Sequence, residues 1–186
     1  LLVTNCISRY SCHLYSSPIS SQWLKYFSDQ LNFVDYLNVS NKNKLLVRLY
    51  NEDYKWNQKS RWLDRFPNIK FANLKKLDFY IQNARLVICT NNSTAFLECI
   101  YYNVPTIIFW DCKLWEIREE ASPYMDLLIN NKILHTSPRS AAIHVNNVYD
   151  NLHIWWNSKE VQDALSTFKH QFVRDNVDFF RVLKTV

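Results

Sequence analysis

Apolar and polar positions along the chain change period repeatedly, and each change marks an element. Leu1 to Asn5 opens on the apolar run Leu1, Leu2, Val3 and reads as a short strand, followed by a serine-rich loop from Ser8 to Ser21 that contains Pro18. Trp23, Leu24, Phe27, Leu31 and Val34 recur at helical spacing, which predicts an amphipathic helix over Ser21 to Leu37. After a polar turn from Asn38 to Asn43, Leu45 to Tyr50 is a near-continuous apolar run broken by Arg48, the pattern of a parallel strand buried on both faces. A helix around Gln58 to Arg65, a strand near Ile69 to Phe71, a helix from Leu74 to Asn83, a strand from Arg85 to Thr90, a helix from Ser93 to Tyr102 and a strand from Thr106 to Trp110 follow. Strands alternating with helices predict an α/β fold, a doubly wound, Rossmann-like parallel sheet with helices on both faces. The Leu1 strand is expected beside the Leu86 strand, at the switch point of that sheet. Beyond Trp110 the pattern is helical, at Pro123 to Asn131, Ser140 to Tyr149 and Lys159 to Val173. A single domain over residues 1–186, with a helical extension over 122–186, is the expected organisation.

Composition narrows the chemistry. The 186 residues include no glycine, where average usage of about 7% would supply roughly a dozen. Walker A loops and G-x-G-x-x-G turns are therefore excluded, since they need glycine for positive φ or for close backbone approach to phosphate. The chain starts at Leu1 and its one methionine is Met125, so it is expected to be a fragment cut at the first strand of a domain. The opening run does not read as a signal peptide, and Cys99 to Trp110, broken by Asn103 and Pro105, is too short for a membrane helix. Cys6, Cys12, Cys89, Cys99 and Cys112 form no C-x-x-C pair and fit reduced thiols of a cytoplasmic protein. A net charge of +5 spread along the chain predicts a solvated surface, with weak attraction to anionic substrates or the inner face of a membrane. The basic residues do not cluster with the aromatics, so nucleic acid is not an expected partner.

The most informative stretch runs from Leu86 to Trp110. A buried strand leads into Thr90, Asn91, Asn92, Ser93 and Thr94, then a helix, then Asn103 and Pro105, then a second buried strand. Asn92 or Ser93 suits an N-cap, and the free backbone N–H groups of a first helical turn form an anion site without glycine. Asn103 stands where a helix end usually places glycine, and asparagine is the next best residue for that left-handed conformation. Glu98, four residues after Thr94, shares its helix face and is placed to accept hydrogen bonds from ribose hydroxyls. A capped helix with no ligand, and a surface carboxylate favoured by the helix dipole, are the plain alternatives.

These residues carry a resemblance. Thr90 to Pro105, with Glu98 seven residues ahead of the proline, resembles the donor-binding element of GT-B glycosyltransferases, with Asn103 in place of the usual glycine and Thr90 in place of the first of two glutamates. Val47 to Trp56, Arg61 to Pro67, Asn92 to Glu98, Pro105 to Trp110, Trp115 to Arg118 and Trp155 to Gln162 together resemble a family of bacterial surface-polysaccharide transferases along nearly the whole chain. The resemblance implies the C-terminal, donor-binding half of a GT-B-like architecture. It implies glycosyl transfer from a nucleotide-sugar donor, bound as substrate with no cofactor, to a glycan or lipid-linked glycan acceptor. An N-terminal domain of the same protein would hold that acceptor and supply the catalytic base. A CDP-polyol phosphotransferase and a non-catalytic nucleotide-binding or scaffolding domain are the alternatives.

Other candidates follow from position. Arg48, inside an apolar strand, either reaches a phosphate or pairs with Asp53, Glu52 or another carboxylate. Arg9 and His13, in the loop after the first strand, lie beside the expected switch point, where a plain surface loop is the alternative. With Thr90, Asn91, Asn92, Ser93, Thr94 and Glu98 they complete the candidate donor-binding set. The histidines show no paired ligand spacing and no Asp-x-Asp is present, so no metal site is expected. Trp155 and Trp156 suit either sugar stacking or, more commonly, packing.

Overall fold

The structure, a computed structural model, describes residues 1–10, 19–73 and 76–173. Six strands, β1 (Leu2–Val3), β2 (Leu46–Arg48), β3 (Lys70–Phe71), β4 (Val87–Cys89), β5 (Thr106–Phe109) and β6 (Leu134–His135), form one sheet in the order β3-β2-β1-β4-β5-β6. Every pairing is parallel; Leu2 registers with Val47 and Ile88, and Val3 with Arg48 and Cys89. The doubly wound class and the adjacency of the Leu1 and Leu86 strands are thus borne out. The chain winds outward from β1 to β3, crosses back to β4 and winds the other way to β6, which places the switch point between β1 and β4.

The helices are α1 (Ser20–Tyr36), α2 (Val39–Asn43), α3 (Gln58–Arg65), α4 (Leu77–Asn83), α5 (Thr94–Tyr101), α6 (Ser122–Asn130), α7 (Pro138–Val148), α8 (Leu152–Trp156) and α9 (Lys159–Phe172). α1 packs on α7, while α5 and α6 pack on α9 on the other side of the sheet. Both faces being covered, β4 and β5 are buried along their whole length, and their sequences read as unbroken apolar runs for that reason. Aromatic rings fill the α1 side: Trp23 stacks on Trp56 at 4.3 Å and on Phe27 at 4.9 Å, and Phe33 stacks on Phe109 at 5.0 Å. The buried stripe of α1 is Trp23, Tyr26, Phe27, Gln30, Phe33 and Val34, so Leu24, expected inside it, faces solvent. No helix among the described residues is long and apolar enough to cross a membrane.

The helical stretch expected after Trp110 contains the sixth strand. Leu134 and His135 add to β5 through the register Ile108 with Leu134 and Phe109 with His135. Two residues are too few to show a period, and the pairing is created by β5 being in place. The expected turn from Asn38 to Asn43 is the short helix α2, whose N-cap Asn38 accepts from the Asn41 N–H at 2.8 Å. The loop over Ser8 to Ser21 falls partly outside the described residues, and His13 with it.

Two helix ends show how a chain without glycine turns corners. Asn103, at φ 54°, ends α5 with its N–H donating to the Ile100 carbonyl (3.1 Å) and the Val104 N–H donating to the Cys99 carbonyl (2.9 Å). Lys132, at φ 59°, ends α6 the same way, through Lys132 N–H to Ile129 O (3.0 Å) and Ile133 N–H to Leu128 O (2.9 Å). Both are Schellman ends, and each hands the chain directly to a strand. Asparagine tolerates the left-handed region; lysine holds it against steric cost. Lys132→Gly should therefore stabilise the fold by up to about 1 kcal/mol in urea denaturation, a gain that the larger unfolded-state entropy of glycine trims.

His135 and His144 pack 5.4 Å apart behind β6. The His135 Nε2–H donates to the Lys132 carbonyl (2.9 Å), so its Nδ1 accepts from the Ser140 hydroxyl (2.8 Å). Burial first, then the Lys132 charge, lowers the His135 pKa to about 4; burial, His135 and Lys132 lower that of His144 to about 4. Both are neutral in the fold, whereas the unfolded chain takes up protons near pH 6.5. Stability is then complete above about pH 6.5 and falls as pH drops toward 4, with His135 contributing about 3 kcal/mol of loss. His144→Phe should reduce the drop in melting temperature between pH 7 and pH 5; an unchanged drop would place the acid sensitivity elsewhere.

Candidate functional site

A cavity of about 390 Å³ opens at the carboxyl ends of β1, β2 and β4. Thr4 and Asn5 after β1, Arg48 to Asn51 at the end of β2, Asn91 after β4, and Ser93 to Ala95 at the start of α5 line it, with Val3 and Leu77. Among the described residues the lining holds one cation, no carboxylate, and otherwise amides, hydroxyls and a few apolar groups. A second hollow of about 380 Å³, mainly apolar, lies at the amino ends of the same strands beneath Leu1, Leu45 and Leu86. The candidate site is the first, because open α/β sheets present loops and free backbone donors at the carboxyl ends of their strands.

A buried hydrogen-bond relay holds this end of the sheet. The Thr90 hydroxyl donates to the Val3 carbonyl (2.9 Å), so it accepts from the Tyr26 hydroxyl (2.7 Å), which in turn accepts from the Asn5 N–H (2.8 Å). Each hydroxyl donates once and accepts once, and the segments after β1 and β4 are tied together through α1. Beside it, the Thr4 N–H and hydroxyl both donate to the Arg48 carbonyl at 3.1 Å, fixing the end of β2.

On that base stands the start of α5. Ser93 occupies the expected N-cap position, at φ −142° and ψ 179°, but its side chain makes no capping bond; its N–H turns back to the Asn91 carbonyl at 3.1 Å. Among the described residues the N–H groups of the first turn have no side-chain acceptor, and they carry the positive end of the helix dipole to the cleft. Asn91, also on the cleft, is 2% exposed, and its side-chain NH2 has no hydrogen-bond partner among the described residues. A buried donor without a partner is costly in a fold that gains nothing from it.

Residues 1–185 match the family model described as LIC12162 family transferase. The chain belongs to that family. No curated protein and no solved structure matches it. It is a transferase with a switch-point cleft, and the remaining expected site residues take their meaning from their distance to that cleft.

In this LIC12162 family transferase, Arg48, Asn91, Ser93 and Thr94 come together on the cleft. Asn92 is half-buried between them, and Thr90 lies below, its hydroxyl committed to the relay. Glu98 sits one turn further along α5, half-buried and outside the lining; burial and then the neighbouring Asp78 raise its pKa. Arg9 is exposed, packs its guanidinium over Trp56 at 5.1 Å and donates to the Lys55 carbonyl at 3.2 Å, away from the lining. The ion-pair alternative for Arg48 does not form among the described residues. Asp53, its expected partner, instead accepts from the Asn57 and Gln58 N–H groups (2.8 and 2.7 Å) at the start of α3.

Trp155 and Trp156 are structural: their indole N–H groups donate to Asn131 O and Asn103 O, both at 3.2 Å, where α6 and α5 end. No group of three His, Cys, Asp or Glu among the described residues is placed to hold a metal ion. Tyr26 was not legible as a site residue, because it reads as one more aromatic on the apolar face of α1. Lys25, bridging Asp29 (2.6 Å) and Asp111 (3.5 Å), was missed too; its i,i+4 spacing to Asp29 was the available signal. Tyr26→Phe should cost about 1–3 kcal/mol in urea denaturation, since Thr90 and the Asn5 N–H both lose a buried partner. A double-mutant cycle with Thr90→Val should show coupling near 1 kcal/mol, and independent effects would remove the relay as the tie between β1 and β4.

Proposed function

We propose that this transferase is the donor-binding half of a GT-B-like glycosyltransferase, moving a glycosyl group from a nucleotide sugar to a surface-polysaccharide acceptor. The observation that carries the reading is the uncapped start of α5, opening with the Asn91 amide onto a switch-point cleft, the amide without a partner and the cleft without a carboxylate among the described residues. The donor's diphosphate rests on the N–H groups of Asn92, Thr94 and Ala95, where the helix dipole favours negative charge, the Ser93 N–H being held by the Asn91 carbonyl. As the glycosidic bond breaks, charge grows on the leaving phosphate oxygen, and fixed donors at that point stabilise it more than they stabilise the ground state. In this reading the helix terminus takes the place of a metal ion. Glu98 accepts from the ribose hydroxyls, and the Asn91 amide finds its missing acceptor on the diphosphate. Thr90 supports the floor.

The acceptor, a glycan or lipid-linked glycan, lies in this proposal against an N-terminal domain of the same protein, which contributes the general base. A cytoplasmic location at the inner face of the membrane suits such an acceptor and the net charge of +5. Titration calorimetry with UDP, CDP, GDP and inorganic phosphate tests the site. One nucleoside diphosphate should bind, and Glu98→Gln should weaken it by about 1–3 kcal/mol, as a charged acceptor becomes neutral in a half-buried place. Phosphate should bind Glu98→Gln no worse than wild type. Failure of every nucleotide to bind the intact protein would reduce α5 to a structural helix and give the lead to a scaffolding domain.

A further inference from the structure

We infer that Arg48 reads a carboxylate on the sugar of the donor, so that the transferred unit is an acidic sugar; this rests on the cleft binding a nucleotide sugar as proposed above. The cleft offers two separate points to negative charge. One is the start of α5, at the end of β4; the other is Arg48, at the end of β2. β2 and β4 flank β1, and at about 4.8 Å per strand they lie roughly 10 Å apart. With the diphosphate seated on α5, at the end of β4, the β2 side of the cleft, where Arg48 stands, is left to another part of the ligand.

Arg48 is built to stay there. Its carbonyl is held by both donors of Thr4, and its guanidinium lies over the Tyr80 ring at 5.7 Å. Tyr80 is itself fixed, its hydroxyl accepting from the Asn73 N–H at 3.0 Å and donating to the Asn73 side-chain carbonyl. No carboxylate among the described residues pairs with Arg48, and none lines the cleft, so its charge is left for a ligand. One guanidinium matches a monoanion with a planar, two-oxygen face, which a carboxylate presents for a bidentate pair. Asn5, Tyr50 and Asn51 beside it supply the neutral donors and acceptors that sugar hydroxyls need.

The test compares matched donors differing only at the carboxylate. Calorimetric affinities of the intact protein are measured for UDP-glucose against UDP-glucuronate and for GDP-mannose against GDP-mannuronate, with UDP, GDP and CDP-glycerol alongside. Wild type should prefer the acid of the pair it accepts by about tenfold or more, Arg48→Gln should bring that ratio to about one, and Arg48→Lys should fall between. A wild-type ratio near one, a ratio that survives Arg48→Gln, or tighter binding of CDP-glycerol than of either pair would overturn the inference. Overturned in any of these ways, it leaves the nucleotide site standing. Absence of binding by every nucleotide overturns the site itself and the inference with it.

Discussion

The pairing of β1 with β4 sets the rest of the molecule, because the chain reverses its direction of winding there. Parallel neighbours on either side of that junction send their connections to opposite faces, which opens a crevice at the carboxyl ends of the strands. The relay from Asn5 through Tyr26 and Thr90 to Val3 closes the junction from below with satisfied hydroxyls, so the crevice floor is rigid and carries no spare polarity. What remains open is the wall of one cavity, to which the first turn of α5, Asn91 and Arg48 all contribute. The separation of the two positive points follows from β1 lying between their strands.

A second constraint shapes the walls. Without glycine, the chain enters the left-handed region at Tyr54, Lys55, Asn57, Asn103 and Lys132. Three of these fall in the turn between β2 and α3, where the Asp53 carboxylate and the Trp56 indole, donating to Ile7 O at 2.8 Å, hold the backbone in place. Asn103 and Lys132 are braced by paired backbone bonds, and the Asn103 carbonyl also by the Trp156 indole. The many tryptophans of the chain thus serve partly as donors to exposed carbonyls and partly as core, as Trp23 and Trp62 do. The same glycine-free chemistry removes the glycine loops that cradle phosphate and leaves a helix end as the ready source of backbone donors.

Much of this was legible along the chain. The alternation of buried runs with amphipathic stretches is a local property, repeated every two or three to four residues, and it specified the doubly wound class, five of the six strands and the placement of Asn91 to Thr94 at a strand-to-helix junction. The exchange of glycine for Asn103 at a helix end was legible for the same reason, as one residue answers to one backbone conformation. What the sequence could not determine depends on partners far apart in it. β6 exists because β5 offers an edge, and Thr90 belongs to the floor because Tyr26 lies 64 residues and Val3 87 residues away in the chain yet within hydrogen-bond reach. Arg48 showed the limit most plainly: its residue type allowed an ion pair or a ligand, and only the folded chain, by committing Asp53 to α3, left it on the cleft wall with no ion pair among the described residues. Hydrogen bonds and ion pairs act over a few ångströms in space, so their assignment waits on the tertiary structure, whereas periodicity is already complete in the order of the residues.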